Sequence, residues 1–433
     1  MLKGNNEQKD FEAMAAIKRV GIALGILPLL LAACGDPAPR SADQGTTTPP
    51  SSTEETLVMF PVEGTTIQEF GQYLFEVDTG RLWKLEGGGI FWPFSPDGKF
   101  LIQNRCCGAS LGLNVIDLST GKSRRILEGI LPYAVWSPDG RKIGFIRVEQ
   151  IEGRPVSDRL EGPYLIDKDG SNLVHLSQLP VPSSISWSPD GKFISAETYP
   201  DMPRKLILLN TASGEVTTAI ESLAGVAWSP DGGLVAYLNE NGLHVYDPET
   251  RLHRKLAADP SGDPLSLRGW SYPIWSPDGS KLLFRFPIAL NVIYSEDSHI
   301  YYLANLQNPG LIGDIGPARN PVWSPDGRQI AYLSEGCVTD SWDIYLYDVD
   351  SGFEKRLTAT PKVLKEGPVW WPSGNSLLFS TFDKLYRIDI ESGELKTLVT
   401  SVGNGISVHL HSDPWSPDGR YLGIGSSAHG ICD

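Results

Sequence analysis

A five-residue phrase, Trp-Ser-Pro-Asp-Gly, returns along this chain and constrains its fold more than any other feature. It stands in full at Trp136–Gly140, Trp187–Gly191, Trp228–Gly232, Trp275–Gly279, Trp323–Gly327 and Trp415–Gly419. The variants Phe94-Ser-Pro-Asp-Gly98 and Trp370-Trp-Pro-Ser-Gly374 bring the copies to eight. A spacing of about 40 to 50 residues is the period of a propeller blade of four strands. Each copy reads as a hairpin tip. Pro sets the first central position of a type I turn, Asp suits the next, and Gly takes the left-handed conformation that closes the hairpin.

Short strands with period-two patterning flank each tip. Strand A runs into the Trp, as in Ala134-Val135-Trp136, and strand B leaves the Gly, as in Gln329-Ile330-Ala331-Tyr332-Leu333. Strand C ends in an acid, as in Ile344-Tyr345-Leu346-Tyr347-Asp348, and strand D follows a second turn, as in Lys355-Arg356-Leu357-Thr358. The C–D turns, from Asp78-Thr-Gly80 to Asp389-Ile-Glu-Ser-Gly393, also number eight. The first C–D hairpin precedes the first A–B hairpin, and the last A–B hairpin has no C–D hairpin after it. The expected fold is therefore an all-β propeller of four-stranded antiparallel blades. Eight blades, with the last closed by the N- and C-terminal hairpins, is the economical count. Seven follows if one terminal hairpin stays unpaired. Closure covers two sheet edges that would otherwise invite aggregation.

This parse places the A–B and C–D turns on one tight face and the B–C and D–A loops on the other. The long irregular stretches, 148–162, 258–273, 286–298 and 399–414, belong to the second set. Repeat architectures collect insertions on one face, which is often the binding face.

The N-terminus reads differently. Lys18 and Arg19 precede an apolar run from Val20 to Ala33, ending in Leu31-Ala32-Ala33-Cys34. A basic region, a short apolar region and small residues before a cut describe a secretory signal peptide over residues 1–33. The run is short for a membrane span. The polar stretch before Met14 suggests translation starting there. Residues 34–56 are rich in Pro, Ser and Thr, and form a tether that cannot bury enough surface to order itself. Residues 57–433 hold the propeller. A formal charge of −15 without a basic cluster excludes nucleic acid as a partner.

Several motifs could carry chemistry. The repeat Trp and Asp are read as blade packing and turn support, because every copy meets the same geometric need. Gly108-Ala-Ser-Leu-Gly112 matches a nucleophile elbow but lacks the helix that strains Ser110 into place. Asp167–Asn172 and Asp348–Gly352 lack the later glutamate of a calcium loop and read as turns. Beyond Cys34, the cysteines Cys106, Cys107, Cys337 and Cys432 all fall on the irregular face. Cys432 could bridge to Cys106 or Cys107, with a vicinal Cys106–Cys107 bridge and free thiols as alternatives. His409, His411, Asp413 and His429 could hold a divalent metal, although polar residues lining a wet channel mouth are the plainer reading, and no cofactor is expected. Trp270, Tyr272 and Trp342 would suit stacking on a sugar or a peptide.

The phrase Trp-Ser-Pro-Asp-Gly, followed by Lys or Arg, an apolar strand and an Ile/Leu-Tyr-x-x-Asp strand, resembles the TolB-like propeller repeat over roughly residues 70 to 427. The ending Leu31-Ala32-Ala33-Cys34 resembles the lipobox of bacterial lipoproteins, which implies lipidation of Cys34 and anchoring to a membrane facing the periplasm or cell exterior. TolB-like proteins are periplasmic and join the repeat to an N-terminal α/β domain, where this chain has its tether. The expected function is a non-enzymatic scaffold that binds a protein, peptide or glycan on the irregular face. Oligogalacturonate lyases have a similar propeller with a metal site, which implies the alternative of a metal-dependent enzyme with the histidines as ligands. A sensor domain serving a separate output protein is a third expectation.

Overall fold

A computed structural model describes residues 56–57, 59–86, 90–105, 112–128, 130–148, 160–176, 179, 182–198, 204–221, 225–258, 272–285, 299–335, 342–359, 365–402 and 406–428. Cys34, Cys106, Cys107, Cys337, Cys432, Trp270, Ser110 and His429 lie outside the described residues, as do the signal peptide and the tether up to residue 55. Among the described residues every regular element is a β-strand.

The strands form a succession of antiparallel sheets in chain order. Three of them, running Ile130–His175, Pro182–Glu221 and Gly225–Ala257, hold four strands each. The repeat sits where the sequence places it. The strand Ile130–Trp136 ends in its tryptophan and pairs with Lys142–Val148, Trp136 opposite Ile143. A seven-stranded sheet covers 274–356, and its long central strand Leu311–Trp323 serves two neighbours. The first part pairs with His299–Asn305 and the second with Gln329–Glu335. The sequence reading expects a break between a D and an A strand here. Instead the backbone runs through, with Pro317 and Pro321 at two of its three register shifts, where a residue without an N–H costs no ladder bond. At the chain's end, Tyr421–Ala428 pairs antiparallel with Gly71–Glu76, so the N- and C-terminal hairpins share one sheet.

Each turn is wired by its own serine and aspartate. In one copy, Ser276 Oγ donates to Asp278 Oδ1 at 2.6 Å and accepts the Lys281 N–H at 2.9 Å. Gly279, at φ +68°, donates its N–H to the Ser276 carbonyl at 2.9 Å. The Ser276 hydroxyl and then the Ser280 amide hold Asp278 down to about 2. The same Ser–Asp bond recurs at Asp97, Asp139, Asp190, Asp231, Asp326 and Asp418. The tryptophans link sheet to sheet. Trp136, Trp275, Trp323 and Trp370 donate their indole N–H to Pro93, Ala227, Ile274 and Val322 carbonyls, each one residue before the preceding copy's aromatic, at 3.0–3.2 Å. Trp228 reaches Ser195 Oγ instead, while the buried Trp187 Nε1 has no partner among the described residues. The repeat residues are thus occupied by architecture.

The core lies between sheets. Ala236, Leu238, Leu243 and Val245 of one sheet pack with Trp275, Leu282 and Phe284 of the next, a pattern repeated around the molecule.

Three short strands precede the first C–D hairpin: β1 (Thr56–Leu57), β2 (Met59–Val62) and β3 (Thr66–Ile67). Each adds to the outermost strand of a different sheet. β1 pairs with Lys122–Glu128, β2 with Arg81–Leu85, and β3 runs parallel to Leu395–Ser401. The segment expected to end a tether at residue 56 is therefore the start of a strap across three sheet edges. It buries Met59 and Ile67, the latter fully.

The loop face as candidate functional site

The B–C and D–A connections leave from the face opposite the repeat turns. The best-built group there stands at the roots of two of them, before 342 and after 359. Strand Trp342–Asp348 opens with Trp342 and Asp343. Asp343 is fully buried and collects three donors from the described residues. Lys365 Nζ reaches Oδ1 at 2.9 Å, Thr358 Oγ1 reaches the same oxygen at 3.0 Å, and Arg356 pairs with Oδ2. Lys365 also donates to the Trp342 carbonyl at 2.6 Å, and Arg356 Nε to the Thr358 carbonyl at 2.8 Å. Arg319 lies over the Trp342 ring, 5.6 Å from its centroid.

The electrostatics follow from this geometry. Burial alone would raise the Asp343 carboxyl, but the bonds from Lys365, Arg356 and Thr358 outweigh it and hold the group below the usual carboxylate range. A carboxylate kept ionised by two cations and a hydroxyl is a poor general acid and a good brace. It ties the end of strand D and the entry to the next strand A onto strand C, fixing where both loops begin. A buried pair of this kind needs its hydrogen bonds to offset desolvation, and here the Lys365 side chain is 2% exposed.

A second group marks the loop end of the sheet Pro182–Glu221. Burial raises the Glu197 carboxyl, opposed by Arg204 across the root of the same loop. Beside it, Thr198 Oγ1 accepts the Lys205 N–H at 3.0 Å.

The sequence-predicted residues fare unequally. Tyr272 is 43% exposed just before strand Ile274–Trp275, on the loop face. Trp342 is not on a loop: it begins a strand and is buried, because it joins a core cluster with Leu333 and Trp370, and Arg319 lies over its ring. His409 lies half-buried in the strand Ile406–Trp415, which also contains His411 and Asp413. Among the described residues no group of three or more metal-ligating side chains comes together. Asp167 and Asp348 form plain turns: Asp348 Oδ1 accepts the Ser351 N–H at 2.9 Å, and Asp167 accepts from Asn172. The Asp343 cluster was missed by sequence reasoning. Its signal was a carboxylate five residues before the turn Asp348, where the equivalent positions carry Gly112, Lys205, Gly242, Ile300 and Lys384.

No family model matches the chain. An uncharacterized protein, Atu1656, from Agrobacterium fabrum is 30% identical over 185 residues, covering 40% of this chain and 57% of that one. The Tol-Pal system protein TolB of Francisella tularensis is 25% identical over 295 residues, 64% of this chain and 63% of TolB. The chain thus spans less than two thirds of the length of these relatives. Among solved structures, the C-terminal WD40 domain of Sif2 superposes with a TM-score of 0.52 at 14% identity, covering 84% of this chain and 99% of the domain. The fold is a β-propeller with weak similarity to TolB.

Proposed function

We propose that this chain is a lipid-anchored, non-enzymatic binding or scaffold protein on the outer side of a bacterial membrane, and that it recognises a protein, peptide or glycan on its loop face. The propeller body is read as eight blades, counting the seven-stranded sheet as two that share Leu311–Trp323, with the sheet of Gly71–Glu76 and Tyr421–Ala428 closing the ring. A Cβ added to Gly98, in the first repeat turn, would lie 3.1 Å from the carboxyl carbon of Asp418 in the last, which supports closure.

The observation that carries the functional reading is the division of labour between faces. The repeat residues are consumed by turn and inter-sheet bonds, whereas the buried Asp343–Lys365–Arg356 group braces the roots of two connections on the opposite face. Loops with fixed roots suit a recognition surface. The similarity to a Tol-Pal system protein adds support for a partner in the cell envelope, and the Cys34 context supports a lipid anchor. The experiment is affinity capture from membranes with the full chain. Replacing 336–341 and 359–364 by Gly-Ser loops should release the partner without lowering the melting temperature. Cys34→Ala should move the protein to the soluble fraction. Partner retention by the loop-replaced chain would contradict the binding reading, and membrane retention of Cys34→Ala the anchor.

A further inference from the structure

A cavity of about 330 Å³ opens on the turn side, between the sheets Pro182–Glu221 and Gly225–Ala257. At three other junctions, a long cation two rungs into strand D donates to the carbonyl of the first turn residue after the strand C acid or amide in the next sheet. Arg124 reaches the Lys168 carbonyl at 3.2 Å, Arg254 the Leu306 carbonyl at 2.8 Å and Lys355 the Ile390 carbonyl at 2.9 Å. These donors sit opposite Val115, Val245 and Leu346 in their ladders. The same rung, opposite Leu208, holds Thr217, and the matching turn residue is Pro248. A threonine is too short to span the gap, and both Thr217 and Pro248 line the cavity.

The cavity has a defined chemistry. Phe193, Leu208 and Tyr246 supply buried aromatic and apolar surface. Tyr246 is 2% exposed, and its hydroxyl makes no hydrogen bond among the described residues. Two exposed ion pairs cross the junction, Lys192 with Glu249 and Arg251 with Glu215, and all four residues line the cavity. The charged lining sums to zero, with donors and acceptors alternating. An anion or a cation entering here would have to displace one partner of a pair. Hydroxyl groups donate and accept at once, so they bond both members without separating them. An aromatic and apolar floor suits the C–H face of a sugar ring, and the volume lies at the small end of ligand sites.

We propose that this inter-sheet cavity is a saccharide site, taking one neutral sugar unit with Tyr246 as a hydroxyl partner and Phe193 and Leu208 beneath the ring. It lies on the face opposite the proposed recognition loops and stands independently of them.

Saturation-transfer NMR on the full chain, with D-glucose, D-galactose and N-acetyl-D-glucosamine as separate probes, tests it. Transfer to the ring protons of at least one of these sugars is expected. Thr217→Arg should put a long side chain in the cavity wall and weaken binding at least about tenfold, with a melting temperature no lower than wild type. Thr217→Ser should bind normally. Tyr246→Phe, which removes only the hydroxyl, should weaken binding about fivefold, and keeps the test intact if the arginine variant misfolds. Absence of transfer from all three sugars would overturn the proposal. So would binding unchanged in both Thr217→Arg and Tyr246→Phe, or tighter binding of D-glucosamine or D-galacturonate.

Discussion

Asp343→Asn should be among the most damaging single-atom changes available on this chain. Asp343 is fully buried, and Lys365, whose side chain is 2% exposed, depends on it for its only counter-charge in the group. The neutral amide would leave Lys365 with the Trp342 carbonyl, and Arg356 without its carboxylate. Breaking a buried pair from one side costs about 3–5 kcal/mol, because the remaining charge stays desolvated. Glu221→Gln is the control. It removes the 3.0 Å pair with Lys205, whose side chains are 40% and 64% exposed, and such surface pairs contribute about 0–1 kcal/mol. Urea unfolding compares the two through midpoints at a constant slope. Asp343→Leu with Lys365→Met should recover most of the loss, since no fully buried charge then remains and Arg356, whose side chain is 39% exposed, can be solvated. The folded carboxyl titrates below its ordinary range, so its contribution is complete above that range and fades as pH falls through the lowered value. The Asn penalty should shrink accordingly in acid. A cost within 1 kcal/mol of the Glu221→Gln control at neutral pH would refute the brace.

Three further outcomes follow from particular contacts. Trp275→Phe, which orphans the Ala227 carbonyl, should cost about 1–2 kcal/mol more in urea unfolding than Trp187→Phe, whose indole N–H is already unpartnered. His244 is held down to about 4, first by burial and then by Lys255 and His253, so the unfolded chain binds its proton first. Stability should be complete above pH 6.5 and decline by about 1–2 kcal/mol toward pH 4, the full shift being discounted for a half-exposed ring, and His244→Gln should flatten that slope in pH-dependent melting. Ile67→Ala should cost about 2–4 kcal/mol, because the side chain is fully buried where β3 joins the sheet edge, and a loss below 1 kcal/mol would mean the strap is not part of the folded body.

The sequence carried the hairpins well because their determinants are local. Ser276, Asp278 and Gly279 make their bonds within five residues, so the turn can be read wherever the phrase occurs. The terminal pairing was also legible, since each end held half of a repeated unit. What stayed hidden depends on distant partners. β1 and β3 are two residues long and β3 joins in parallel, too little pattern to announce a strand beside a Pro/Ser/Thr-rich segment. Lys365 lies 22 residues from Asp343, and nothing in its own neighbourhood marks it as buried. Trp342 looked like a free aromatic because its cover, Arg319, comes from another strand. The cavity was invisible for a related reason: its lining joins residues of two sheets, among them Thr217, an ordinary strand residue.

The central claim is that macromolecular partners meet the loop face rather than the repeat face. Photo-crosslinking amino acids placed singly in living cells test it directly. Tyr272 and Phe382 are exposed hydrophobic positions on the loop face, and Leu252 and Phe353 are equally apolar positions, still more exposed, beside the C–D turns. The account predicts a discrete crosslinked partner from Tyr272 or Phe382 and none from Leu252 or Phe353. The same partner captured from Leu252 and Phe353, with none from the loop positions, would contradict it.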